Sequence, residues 1–189
     1  MTLSRPIQFG ALGVLALLMI ATRGQHFASV DALPSASWAV FFLAGVLFRP
    51  LWGFVALFAL ASLLDISSLE RGTITQWCVS PAYWALLPAY GSLWFAGRLY
   101  ASIHRDELRT LLPLATTLVA SGFVAYLCSG GGFYFFSGRY PDASLSEFAG
   151  RVTHYYPHST SVMAVYVAAA AVVYALARAI APRGQLARA

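Results

Sequence analysis

The sequence is poor in charge. Only 10% of its 189 residues are Asp, Glu, Lys or Arg, against about 25% in soluble domains. Too few charges remain to coat a water-exposed surface, so the chain reads as an integral membrane protein. Lysine is absent, and all twelve basic residues are arginine. They are scattered over loops and ends and form no tract. The formal net charge of +5 therefore reads as a membrane-orientation bias, and no nucleic-acid partner is expected. Two cysteines, Cys78 and Cys128, are too few for a disulfide framework. A Cys78–Cys128 bridge stays open in an oxidising compartment, although Cys128 reads as the end of an apolar helix. There is no C-x-x-C, no H-E-x-x-H and no phosphate loop, so the familiar redox, zinc-protease and ATP-hydrolysing signatures are missing. No A-x-A-like cleavage site follows the first apolar run, where Thr22-Arg23-Gly24 stands instead. That run is expected to be a retained helix rather than a cleaved signal.

What the chain has is apolar length: 59% hydrophobic residues and a mean hydropathy of +0.69. Six charge-free segments are predicted as helices, over 6–22, 35–48, 51–64, 81–97, 111–128 and 159–177. Spans need about 20 residues, so the second and third are short. Arg49-Pro50 divides them, since proline cannot continue the hydrogen-bond ladder and a charge avoids lipid. One kinked helix over 36–64, giving five spans, is the alternative; 29 apolar residues are long for a single span. With six spans and the N-terminus inside, eight arginines fall on the inner side. Four fall outside: Arg23, Arg71, Arg139 and Arg151. That is the expected bias, and it places both termini in the cytoplasm. The reading is an all-α six-transmembrane-helix bundle, one domain over 1–189, with long outer loops at 23–34, 65–80 and 129–158.

Reactive side chains collect on that outer side. His26 lies in the first loop; Asp65, Cys78 and Tyr83 border the second; Arg151, His154, Tyr155, Tyr156 and His158 border the third. His, Cys and Asp from separate loops can converge on a metal or an electrophile. Blander roles stand beside this. A cysteine at a helix start is commonly a small packing residue. Asp65 and Arg151 fit loop charges or a structural ion pair. Trp77, Trp84, Tyr155 and Tyr156 fit an interfacial aromatic belt. His154 and His158 would share a helical face, but Pro157 between them argues against a regular helix, and Gly130-Gly131-Gly132 reads as a turn. The aromatic surface on this side exceeds what a belt requires and favours a large planar ligand.

The stretch Gln76-Trp77-Cys78, with His26, Asp65, Tyr83 and Arg151, resembles the solitary cobalamin transporters of the BtuM type. These in turn resemble the vitamin-binding S-components of energy-coupling-factor (ECF) transporters. The resemblance spans the chain in length and helix layout. It implies a bacterial inner-membrane protein that binds cobalamin at the periplasmic face and moves it inward. It implies Cys78 as axial ligand of the corrin cobalt, base-off, with reductive decyanation of cyanocobalamin. Asp65, Tyr83 and Arg151 would support that chemistry, His26 would stand near the opposite face of the cobalt, and Trp77 and Tyr155 would contact the corrin. No free metal is implied. Helix 1 carries Ala11, Ala16 and Ala21 but no A-x-x-x-A pattern for close docking, so an obligatory ECF module is not expected. A binding protein for another vitamin, or a membrane thiol enzyme acting on a lipid or quinone, are the alternatives.

Overall fold

The computed structural model describes residues 4–23, 33–72, 74 and 80–180. Among these residues there is no strand, and six helices form: α1 Arg5–Thr22, α2 Ser37–Leu47, α3 Trp52–Glu70, α4 Leu86–Ile103, α5 Leu111–Phe136 and α6 Leu145–Ile180. Single 3₁₀ turns, Pro81–Ala85 and Leu108–Thr110, lead into α4 and α5. Four helices (α1, α3, α6, and α5 taken with the turn before it) are long and apolar enough to cross a membrane.

The bundle is arranged around its shortest helix. Eleven residues rise about 16 Å, too little for a bilayer. No residue of α2 is exposed, and Ala39, Val40, Phe41, Phe42 and Ala44 are fully or nearly fully covered. A helix apolar on every side is one that is covered on every side. The large exposed apolar side chains lie on other helices, such as Val14 and Leu17 of α1, Leu63 of α3, Phe95 of α4, Leu112 of α5 and Val173 of α6. Lipid is as apolar as leucine, so what selects α2 for the centre is close packing. Its main seam is with α4, where backbones nearly touch. A Cβ added at Gly45 would lie 2.1 Å from the Trp94 carbonyl oxygen, and one at Gly97 would lie 2.1 Å from that of Phe42. Tyr90 stacks on Phe41 at 4.2 Å between ring centroids, and Trp94 meets Phe54 edge-on.

Arg49-Pro50 does separate α2 from α3, so the single-kinked-helix alternative is excluded. The Arg98 guanidinium donates to the Arg49 carbonyl and holds this corner, and Phe9, Phe48 and Trp52 cluster beside it. Other expected boundaries are corrected. The third helix continues past residue 64 to Glu70, which makes Asp65 a helical residue. The fourth begins as a 3₁₀ turn and reaches Ile103. The fifth runs through Gly130-Gly131-Gly132 to Phe136. These glycines are a packing surface rather than a turn, since a Cβ on Gly132 would meet that of Ala85 at 2.2 Å. The sixth begins at Leu145 and passes through Pro157, so most of the expected third outer loop is helix. Cys128 is a free thiol inside α5.

Candidate functional site

The C-terminal ends of α1, α3 and α5 meet the N-terminal ends of α2, α4 and α6, and a buried polar network joins four of them. Arg23, at the C-cap of α1, forks onto the Asp65 carboxylate. Nε donates to Oδ1 at 2.9 Å and Nη2 to Oδ2 at 2.7 Å. Its Nη1 donates to Ser37 Oγ on α2 and to the Tyr90 hydroxyl on α4, both at 2.7 Å. Tyr83 Oη donates to Asp65 Oδ2 at 2.8 Å and also lies 3.3 Å from Ser62 Oγ. The side chains of Arg23 and Asp65 are only 9% and 17% exposed. Bidentate guanidinium–carboxylate geometry makes such a pair tolerable where water is scarce. Thr22 supports the fork by accepting the backbone N–H of Ala36, which fixes the entry of α2.

Two cavities flank this network. The first, of about 250 Å³, is lined by Asp65, Ile74, Ala82, Tyr83, Leu86, Ser129 and Phe133. The second, of about 260 Å³, is lined by Pro34, Ser35, Ser37, Trp38, Tyr90, His158, Ser159, Val162 and Met163. Asp65 and Tyr83 thus face one cavity, while the Ser37 and Tyr90 partners of Arg23 face the other.

Arg151 belongs to a neighbouring aromatic cluster. Its guanidinium lies over the rings of Tyr140, Tyr155 and Tyr134, at 4.8, 5.4 and 5.5 Å from their centroids, and donates to Tyr140 Oη at 3.0 Å. Tyr134 Oη in turn donates to Glu147 Oε2 and accepts from the Ser144 N–H. Arg151 therefore satisfies its charge with aromatic faces and has no hydrogen bond to Asp65 or Tyr83. The link to the first cavity runs through Phe133, which lines it and meets Tyr140 edge-on at 6.3 Å.

Of the expected site residues, Asp65 and Tyr83 are in direct contact, and Arg151 and Tyr155 are in contact with one another. His26, Gln76, Trp77 and Cys78 lie outside the described residues. His154 and His158 both lie on α6, four positions apart, and His158 reaches the second cavity. Among the described residues no group of three His, Cys, Asp or Glu side chains is placed to hold a metal ion. Sequence reasoning missed Arg23, Ser37 and Tyr90. The available signal was that Arg23 and Asp65 each close an apolar segment on the same side of the membrane with opposite charge. No protein-family model matches the sequence, and a search among curated proteins finds no match.

Proposed function

We propose that the chain is a cobalamin uptake protein of the bacterial inner membrane, a six-span bundle of the S-component type with both termini in the cytoplasm, in which the short α2 completes its crossing with the non-helical residues on either side of it. In this reading it takes the corrinoid from the periplasmic side, with Cys78 as axial ligand of the cobalt. The observation that carries the reading is the Tyr83–Asp65 hydrogen bond on the wall of the first cavity. Ile74 lines that same wall, and Ser80 opens the turn that presents Tyr83. Cys78 stands between them in sequence, two positions before Ser80. The orientation is supported by charge: the end away from the cavities carries Arg5, Arg49, Arg98, Arg105, Arg109 and Arg178 against Asp106 and Glu107. At the cavity end, Arg23, Arg71, Arg139 and Arg151 are matched by Asp65, Glu70, Asp142 and Glu147.

A thiolate is a soft ligand suited to the cobalt of a corrin. Its coordination displaces the benzimidazole base from the metal. Decyanation adds one electron to Co(III), giving Co(II), and the cyanide leaves as cyanide ion. The electrons come from an external low-molecular-weight thiol, two thiolates giving one disulfide for every two cobalts reduced. Asp65 and Tyr83 form the proton-holding pair beside the ligand. The resemblance assigns His26 to the other face of the cobalt and Trp77 and Tyr155 to stacking on the corrin, with Arg151 at the rim. Each cavity alone is below the roughly 300–1,000 Å³ of ordinary ligand pockets, so the corrin lies across the open end of the bundle.

The small size of the cavities also favours a second reading, a binding protein for a smaller vitamin. Both are tested by the absorption spectrum of protein purified after expression with cyanocobalamin, beside a Cys78→Ala variant. A base-off corrinoid spectrum that changes in the variant supports thiol–cobalt ligation. A colourless parent at saturating cobalamin removes the reading and leaves the smaller vitamin.

A further inference from the structure

The hydrogen-bond inventory of the second cavity does not close. Tyr90 is 4% exposed, and its hydroxyl oxygen accepts from Arg23 Nη1 at 2.7 Å. Among the described residues its own proton has no acceptor. Ser37 Oγ likewise accepts from Arg23 and lies 2.9 Å from Ser35 Oγ. One proton bridges that serine pair, and the other is carried either by Ser37 or by the exposed Ser35, whose Oγ also accepts the Ser37 backbone N–H. A hydroxyl that accepts from a guanidinium is polarised into a stronger donor. The cavity thus presents the deeply buried Tyr90 hydroxyl as such a donor, with a second proton available from the serine pair, and a buried donor left unpaired is costly. Opposite them stand His158 and Ser159 of α6, with Trp38, Val162 and Met163 supplying apolar walls.

We propose that the second cavity is a binding subsite for a neutral hydrogen-bond acceptor, an amide carbonyl of the ligand, received by Tyr90 Oη and the Ser35–Ser37 pair. A neutral group is favoured by the fork, because Asp65 already compensates Arg23. The one basic side chain among the described lining residues, His158, is exposed on the opposite wall, so an anion held at Tyr90 and Ser37 would have no counter-charge beside it. The volume of about 260 Å³ takes a side arm and excludes a macrocycle. The inference rests on the corrinoid reading, since a corrin carries several carboxamide arms around its ring. The metal-facing cavity and this one then hold different parts of one molecule, on opposite sides of the Arg23–Asp65 fork.

The test compares cyanocobalamin with its derivatives in which one peripheral amide is hydrolysed to the acid, on the parent protein and on Tyr90→Phe, by equilibrium binding. Phenylalanine keeps the ring that stacks on Phe41 but also removes an acceptor from Arg23, so affinity alone does not decide. The deciding quantity is the preference for amide over acid. In the parent at least one derivative binds about tenfold or more weakly than cyanocobalamin. In Tyr90→Phe, and to a smaller extent in Ser35→Ala, the preference at that one arm narrows by roughly threefold to tenfold, the worth of one neutral hydrogen bond. Parent and Tyr90→Phe showing the same preference at every arm, or no preference in the parent, overturns the subsite and leaves the corrinoid reading standing. A parent that binds no cobalamin overturns both.

Discussion

Separating Arg23 from Asp65 is the sharpest perturbation the bundle offers. All three guanidinium nitrogens are engaged, and the carboxylate receives two of those bonds and one from Tyr83. Two unit charges about 4 Å apart attract by about 4 kcal/mol at an effective dielectric of about 20. Removing one partner of a buried pair costs about 3–5 kcal/mol, because the other charge stays behind without compensation. Among the described residues, Asp65→Leu strands a guanidinium held only by Ser37 and Tyr90, and Arg23→Met strands a carboxylate held only by Tyr83. Removing both together deletes the desolvation cost along with the attraction and should return to within about 2 kcal/mol of the parent. For a chain of this size 1 kcal/mol shifts Tm by about 2–4 °C, so each single variant should melt roughly 6–20 °C below the parent. The double variant should recover most of that loss. The assay is thermal unfolding of the four proteins in one detergent, read by far-UV circular dichroism and treated as a double-mutant cycle. Single variants within about 2 °C of the parent, or a double variant that loses the sum of the two, would refute the fork as a coupled buried pair.

Gly45→Ala and Gly97→Ala should each destabilise by about 1–3 kcal/mol, the range for overpacking, because backbone carbonyls stand 2.1 Å from the new Cβ and cannot turn aside. Gly13→Ala on α1, with open space around it, should change the melting temperature far less in the same assay. At the opposite end, Asp106 is held below the ordinary carboxylate range, chiefly by the Tyr174 hydroxyl and then by the Arg178 and His104 charges. A depressed folded-state pKa gives stability that is complete above the unfolded value near 4 and fades as pH falls through the lower folded value. The side chain is about half exposed, so the contribution stays below about 1 kcal/mol. Melting across pH 2–7 should show an acid-side decline that Asp106→Asn lessens; an identical decline in the variant counts against the contact. Arg151→Gln should lose about 1–2 kcal/mol of stability through its three aromatic faces. If the corrinoid reading holds, it should leave the absorption bands of the bound corrinoid in place, and a band shift like that of Cys78→Ala would put Arg151 in contact with the proposed cobalt site.

Much of the architecture was readable from periodicity-free apolar length and from Arg49-Pro50, because lipid forces every backbone group into a helix. The segment ends were not. Asp65 looked like the limit of a span because a charge in lipid is costly, yet Arg23 neutralises it and α3 continues to Glu70. Gly130-Gly131-Gly132 looked like a turn because glycine weakens helices, yet Gly132 is what lets α5 approach Ala85. Pro157 looked like a break because its ring removes a backbone bond, yet α6 carries it within 36 residues. In the site, Asp65 and Tyr83 were identifiable by type and by side of the membrane. Their partners Arg23, Ser37 and Tyr90 were not, since a contact spanning 42 or 67 residues leaves no local pattern. Arg151 went to a tyrosine cage rather than to the acid, because the expected third loop is largely helix and α6 sets Arg151 against Tyr134 of α5 and Tyr140, a tertiary pairing that no spacing rule reports.

The burial of α2 also sets an order of events during biosynthesis. An 11-residue helix with no lipid-facing side cannot reach its final place on its own. The surface that receives it, around Tyr90, Trp94 and Gly97, emerges from the ribosome some 45 residues later. Until then α2 must lodge in lipid as half of a hairpin with α3, joined at Arg49-Pro50. The first cavity also needs Ser129 and Phe133 of α5 and the second needs His158 and Ser159 of α6, so the flanks of the buried fork are completed only after α4 is in place. A chain arrested before α4 would hold Arg23 and Asp65 in reach of each other and still lack the second cavity.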